Sequence, residues 1–285
     1  MDEAALAAFL EVEALPAAFR ETFETVCRPL AARAQTLRDE GRRTVLLGIC
    51  GAQGSGKSTI AAATCRLLAG QGASAVTLSL DDFYLSGEAR RRLAREVHPL
   101  FATRGPPGTH DVSLAASVLD RLQAAGEVAL PSFDKAADEP RPAAERRTVA
   151  APADVVLLEG WCVGARPQDP AALVTPVNAL EAEEDADGVW RTCVNTALAG
   201  PYQSLFARLQ AVVFLAAPSF EVVAGWRAEQ EAKLRARTGA GMAPGEIGRF
   251  VAHYERLTRW MLAEMPGRVA LTVRLGEDRA PRLEG

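Results

Sequence analysis

Eight consecutive residues, Gly51-Ala52-Gln53-Gly54-Ser55-Gly56-Lys57-Ser58, match the pattern G-x-x-x-x-G-K-[ST]. Glycines at that spacing let the backbone curl until several N–H groups face one anion. A helix beginning at the end of the loop adds its positive terminus. In such a loop Lys57 reaches the outer phosphates of a nucleoside triphosphate and the Ser58 hydroxyl binds Mg²⁺. A nucleoside triphosphate and Mg²⁺ are therefore the expected cofactors. The candidate nucleotide-binding residues are Gly51, Gln53, Gly54, Ser55, Gly56, Lys57, Ser58 and Thr59.

Two acidic positions stand at the ends of apolar runs. Ala75-Val76-Thr77-Leu78-Ser79-Leu80 leads straight into Asp81 and Asp82, and Val155-Val156-Leu157-Leu158 leads into Glu159. Carboxylates at the carboxyl ends of parallel strands face the crevice where α/β sheets bind ligands. Asp81 there would accept the proton of an attacking hydroxyl or hold Mg²⁺ through water. Asp82 has helix capping as its alternative role. Glu159, at the end of a strand buried on both faces, would be costly without a compensating cation, which makes it a metal or water ligand. Lys57, Asp81 and Glu159 form the expected catalytic set, and Ser58, Glu159 and Asp81 the metal set.

Basic residues recur around this acidic pair. The loop Arg104-Gly105-Pro106-Pro107-Gly108-Thr109-His110-Asp111 is stiffened by prolines, and its arginine has the fork geometry that clamps a carboxylate or phosphate. Asp82, Tyr84, Arg104, Thr109, His110, Asp134 and Lys135 are the candidate acceptor-binding residues. Further on, Arg227, Glu231 and Arg235 fall at i, i+4 and i+8 on one helical face. They are placed in a pair of helices over about 220–265, broken at Gly239-Ala240-Gly241, with the layout of a lid whose arginines grip phosphate.

The elements that must carry these residues alternate between buried strands and helices. Strands are expected over 44–50, 75–80, 126–131, 153–160, 211–215 and 269–273, with the P-loop helix directly after the glycine loop. That alternation predicts an α/β protein with a mostly parallel sheet and a helical lid. Residues 1–42 read as two helices packed outside a P-loop domain spanning 43–285, with no chemistry visible in them. Residues 165–188, rich in Pro, Glu and Asp, read as an exposed excursion, and Arg274-Leu275-Gly276 as a border of the adenine site.

Composition limits the partners. A formal net charge of −4 leaves no basic field for broad nucleic-acid binding. The five cysteines contain no C-x-x-C pair and read as reduced thiols of a cytosolic protein. The first residues lack a basic signal-peptide region, and no apolar run reaches membrane-spanning length. A cytoplasmic protein acting on a small molecule, with no nucleic acid and no membrane, is the expectation; oligomeric state is left open.

Ser79-Leu80-Asp81-Asp82-Phe83-Tyr84, the block 104–111, Phe133-Asp134-Lys135, Leu158-Glu159-Gly160-Trp161-Cys162-Val163-Gly164 and Gly225-Trp226-Arg227-Ala228-Glu229-Gln230-Glu231 together resemble the phosphoribulokinase/uridine kinase group of P-loop kinases. Within it the chain is similar to the D-glycerate 3-kinase branch, from about residue 43 onward. The resemblance implies a three-layer αβα P-loop NTPase fold, a kinase domain over 43–285, and transfer of the γ-phosphoryl of ATP to a small-molecule hydroxyl, most simply D-glycerate to 3-phosphoglycerate. It places Asp81 at the general-base position and Glu159 at the second acidic position. The chain departs from the branch at the Asp134-Lys135 loop: the branch has an Asp-Arg pair downstream, and here Asp138 and Arg141 are separated. A kinase of this fold for a nucleoside or pantothenate, and a P-loop ATPase acting on a protein partner, are the alternatives.

Overall fold

The computed structural model describes residues 3–238, 242 and 244–282. Its strands are β1 (Val45–Gly51), β2 (Ala75–Ser79), β3 (Gly126–Ala129), β4 (Phe133–Asp134), β5 (Glu139–Pro140), β6 (Thr148–Ala151), β7 (Val155–Gly160), β8 (Ala211–Ala216), β9 (Leu271–Leu275) and β10 (Pro281–Arg282). Six of them form the central sheet in the order β10-β9-β8-β1-β7-β2, parallel throughout except for the edge pair β9–β10. The remaining strands make two antiparallel pairs, β3 with β6 and β4 with β5. The last long strand lies two residues later than its apolar run predicts.

Both faces of the sheet are covered, and β1 and β7 are buried at every step. Val45, Leu47, Ile49, Val155 and Leu157 enter one hydrophobic cluster, and Leu46, Cys50, Val156 and Leu158 enter the other. Alternation along a strand thus feeds two cores, one per face. On the first face pack the P-loop helix Lys57–Gly70 and the N-terminal helices, through Phe9, Phe23, Val26 and Leu30. The long N-terminal helix runs from Phe19 to Asp39 with a π-turn at Phe23–Cys27. On the second face lie the helix Val112–Arg121 and the helix Pro244–Glu264, whose Tyr254, Leu257 and Met261 are buried there with Met265 just beyond its end.

The two expected lid helices are Phe220–Thr238 and Pro244–Glu264. Each is anchored: Val223 and Trp226 of the first sit in one core cluster, and the second helix in the other. Of the expected break between them, Gly239, Ala240 and Gly241 lie outside the described residues.

The segment 165–188 differs from its reading as an exposed excursion. Glu181 and Asp185 are buried, each paired with an arginine, Glu181 with Arg256 at 2.6 Å and Asp185 with Arg191 at 3.0 Å. The acid-rich composition that suggested solvent exposure instead supplies partners for buried guanidinium groups. All five cysteines are free. Among the described residues no helix is long and apolar enough to cross a membrane.

Candidate active site

Strand register brings the chemistry together. Glu159 pairs with Ile49 of β1 and with Ser79 of β2, so the carboxyl ends of three neighbouring strands align. The glycine loop leaves from the first, Glu159 ends the second, and Asp81 follows two residues after the third. In the loop Gly54 and Gly56 take φ of 78° and 86°, values that favour glycine. At Gly54 a Cβ would also meet Trp226 Cβ at 2.8 Å, so the loop can lie against the first lid helix only without a side chain.

Ser58 Oγ donates to Glu159 Oε1 at 2.8 Å. Glu159 is 3% exposed, and its other oxygen, Oε2, is buried without a hydrogen-bond partner. An unsatisfied carboxylate oxygen in an interior is costly, and a cation bound beside it would offset that cost.

Asp81 and Asp82 are adjacent and have opposite environments. Asp81 accepts from Lys135 Nζ at 2.7 Å and from the Tyr84 hydroxyl at 2.8 Å. Burial pushes its carboxyl upward, but the charges of Lys135 and Lys57 with these hydrogen bonds outweigh burial and hold it well below the usual carboxylate range. Asp82 turns away from the cleft and accepts the Phe133 N–H at 3.0 Å. Burial, only partly offset by that bond, and then the neighbouring charge of Asp81, push it up to about 6.

Opposite Lys57 the cleft is bordered by Tyr84, Arg104, His110 and Lys135. Tyr84 and His110 are bridged as an antiparallel pair and their rings stack, with centroids 4.6 Å apart. His110 Nδ1 shares a 2.6 Å hydrogen bond with the Tyr202 hydroxyl, and burial pushes its imidazole down to about 4, so it is neutral at physiological pH. Gly105 takes φ 122°, and an added Cβ would overlap the Tyr254 hydroxyl, which donates to the Arg104 carbonyl at 2.8 Å. The arginine is aimed by that close contact. Its guanidinium pairs with Asp138 and lies 5.7 Å from the centre of the Phe133 ring.

Two of the expected acceptor-binding residues stand behind this border. Thr109 is fully buried; its hydroxyl accepts the Gly105 N–H and donates to the Pro106 carbonyl, shaping the loop. Asp134 accepts the backbone N–H groups of Ala136 and Ala137 and pairs with Arg141 at 2.7 Å, which fixes the β4–β5 turn bearing Lys135.

From the lid helices, Arg227 reaches the cleft and Arg235 is not among its lining residues. Arg227 pairs with Glu231, stacks 5.1 Å over Phe250, and keeps a buried Nε without a partner. Gln53, Gly54, Lys57 and Ser58 line the cleft, whereas Ser55, Gly56 and Thr59 face a second cavity on the other side of the loop. Gly51 is the last residue of β1.

Sequence reading missed three contributors. Arg279, with φ 67°, donates to the Gly54 carbonyl at 2.8 Å and pairs with Glu229 at 2.6 Å, tying the loop to the first lid helix. Asp138, with φ 59°, joins Arg104 to Arg90, which is 2% exposed. Tyr254 packs edge-on against Trp161 with ring centres 4.5 Å apart and supports Arg104. Each acts through partners far away in the chain, so no local pattern marks it.

The arrangement sets an ionised carboxylate and a cation-seeking glutamate beside a loop of amides, with Lys57, Arg227, Lys135 and Arg104 around them. Such a set can hold a polyanion while orienting a hydroxyl toward it.

A sequence model of the phosphoribulokinase/uridine kinase family matches residues 46–165. The chain is similar to an uncharacterized kinase of Schizosaccharomyces pombe, 34% identical over 259 residues, covering 86% of this chain and 92% of that protein. It is also similar to the chloroplastic D-glycerate 3-kinase of Arabidopsis thaliana, 30% identical over 221 residues, 74% of this chain and 46% of that one. Among solved structures, D-glycerate 3-kinase from Cryptococcus neoformans matches with a TM-score of 0.73 at 23% identity, over 92% of this chain and 98% of that one, a likeness of fold.

Proposed function

This chain belongs to the phosphoribulokinase/uridine kinase family, and we propose that it transfers the γ-phosphoryl of ATP to a hydroxyl of a small hydroxy acid, D-glycerate, giving 3-phosphoglycerate. The observation that carries this reading is the placement of Asp81. Its carboxylate is held ionised between Lys57 and Lys135, in the same cleft as the phosphate loop.

The loop amides and Lys57 cradle the phosphates. Ser58 Oγ and the unpartnered Glu159 Oε2 fit a divalent cation. Two such oxygens are enough for Mg²⁺, an ion that takes its remaining ligands from phosphate and water. When bound it neutralises charge on the phosphate oxygens. Asp81 accepts two hydrogen bonds and, as a carboxylate with about four lone-pair sites, has room to receive the acceptor hydroxyl and orient it. The hydroxyl's proton passes to that carboxylate as its oxygen bonds the γ-phosphorus and the bond from that phosphorus to the bridging oxygen breaks, releasing ADP.

Arg104, Lys135 and the neutral ring of His110 receive the acceptor's carboxylate, Arg104 using donors left over from Asp138. Asp82, Thr109 and Asp134 act by positioning: Asp82 and Asp134 fix the segment bearing Lys135, and Thr109 fixes the loop bearing Arg104. Arg227 faces the transferred group, and Arg235 has no assigned contact. The cleft holds about 150 Å³, below the roughly 300–1,000 Å³ of drug-sized sites, which favours a three-carbon acid over a nucleoside. In this reading residues 43–285 are the kinase unit and residues 1–42 pack on it, and five free thiols fit the reducing cytoplasm.

ADP release by the purified protein with ATP and Mg²⁺, measured against D-glycerate, uridine and pantothenate, tests the proposal. D-glycerate-dependent release is expected. Turnover with uridine or pantothenate alone would reject the acceptor and keep the reaction class. ADP release unaffected by any acceptor would reject both.

A further inference from the structure

The phosphate loop is shared by two cavities. One is the cleft just described. The other holds about 750 Å³ and has Gly54, Ser55, Gly56, Lys57, Ser58 and Thr59 along its floor, a volume within the roughly 300–1,000 Å³ typical of ligand sites. Lys57 and Ser58 line both. A triphosphate lying in the loop with its terminal phosphorus toward Asp81 must send its nucleoside end the opposite way, into this second space.

The walls of that space come from opposite ends of the chain. Leu275 and Ala280, on either side of the turn between β9 and β10, form one wall. Leu15, Pro16, Ala18 and Phe19 form the other, and they lie ahead of the segment 46–165 that the family model matches. The N-terminal wall is a built turn. Ala14, at φ 51°, ends the helix Glu3–Val12, the Leu15 N–H returns to the Leu10 carbonyl at 2.8 Å, and the Phe19 N–H bonds the Pro16 carbonyl at 2.9 Å. Phe19 is braced by Phe9 with ring centres 6.2 Å apart, while Pro16 and Ala18 are exposed to the cavity. One wall, residues 15–19, is apolar; the other sets Asp278 and Arg279 beside Leu275 and Ala280. An apolar face opposite a partly polar one, over a row of phosphate-binding amides, suits a flat heteroaromatic ring attached to a phosphate chain.

We infer that residues 14–19 are one wall of the nucleobase subsite, so that a purine ring of the donor nucleotide lies between them and the β9–β10 turn. The inference rests on the reading of a nucleoside triphosphate as phosphoryl donor. It gives the N-terminal helices a part in donor recognition besides covering the sheet.

Two variants test it, read by the affinities of Mg²⁺·ADP and of inorganic tripolyphosphate with Mg²⁺ in calorimetry. Ala18→Trp fills the slot from an exposed position and leaves the core unchanged; Phe19→Ala removes part of the wall. ADP binding is expected to weaken about tenfold or more in each, with tripolyphosphate affinity within about twofold of the parent. Melting temperature reports folding, and Ala18→Trp keeps the test open if Phe19→Ala fails to fold. Unchanged ADP affinity in Ala18→Trp would overturn the inference. Equal loss of ADP and tripolyphosphate would overturn it too, since the turn would then shape the phosphate loop. A parent protein that binds neither ligand would instead sink the donor reading beneath it.

Discussion

Asp81 and Asp82 show how far two identical neighbouring side chains diverge when one faces two ammonium groups and the other faces a buried backbone amide. Asp81→Asn keeps the shape of the side chain and its bond from Tyr84 but loses the charge that draws a proton. We expect kcat to fall by about 10²–10⁴ with ATP affinity retained, which stopped-flow turnover and equilibrium binding would separate. Asp82, at about 6, binds its proton more tightly in the folded chain than in the unfolded one, where the ordinary value is 3.8. Its contribution to stability is therefore present at acid pH, falls as pH rises from about 4 to about 6, and stays low above that. Asp82→Asn keeps an acceptor for the Phe133 N–H without the charge. Its melting temperature should exceed the parent's at pH 8, by the equivalent of roughly 2 kcal/mol once partial exposure is discounted, and the gap should close below pH 4. A gap that widened in acid would contradict the assignment. The types and strand-end positions of Asp81 and Glu159 were legible because a buried run ending in an acid is rare without chemistry to do. The separate fate of Asp82 was not, since Phe133, its partner, is 51 positions away.

Among the elements, the β4–β5 hairpin is the one on which the proposed acceptor site most depends. It carries Lys135 to Asp81, and its turn residue Asp138 reaches back to Arg104 and to the buried Arg90. Arg90 also donates to the carbonyls of Leu85, Ala102 and Asp138, so one arginine fastens three segments of the acceptor wall. Asp138→Ala leaves this charge without its carboxylate. We expect a loss of about 2 kcal/mol in stability, with the KM for the acceptor raised about tenfold and that for ATP little changed. Denaturant melts and steady-state kinetics would check both; a rise confined to the ATP KM would contradict the role. The sequence showed helices over the lid region through their apolar period, but the period does not tell a mobile helix from an anchored one. Glu181 was hidden because its partner Arg256 is 75 positions away, and Asp185 because its pairing with Arg191, six positions on, shows only once the segment folds inward. Composition alone marks such acids as exposed.

For the whole molecule, the strand order puts β1 at the centre, so the phosphate loop leaves the sheet between β7 and β8 with Glu159 on one flank. Alternating apolar strands and helices were enough to predict this layered α/β architecture, because a sheet covered on both faces needs strands apolar at every step. What residues 1–42 do was not legible: their apolar spacing matches any packed helix, and only the folded chain sets residues 14–19 beside the loop. These helices also cover one face of the core, through Leu6, Phe9, Phe23 and Val26. A chain beginning at residue 43 would bare that face, and we expect it to aggregate on expression, as size-exclusion chromatography would reveal; a soluble monomer with full activity would contradict both roles given to the segment. The most direct test of the whole account is a crystal structure with Mg²⁺, a non-hydrolysable ATP analogue and D-glycerate. It should show the acceptor's hydroxyl hydrogen-bonded to Asp81 and in line with the terminal phosphorus. A terminal phosphate lying away from Asp81, with that carboxylate contacting only Lys135 and Tyr84, would contradict it.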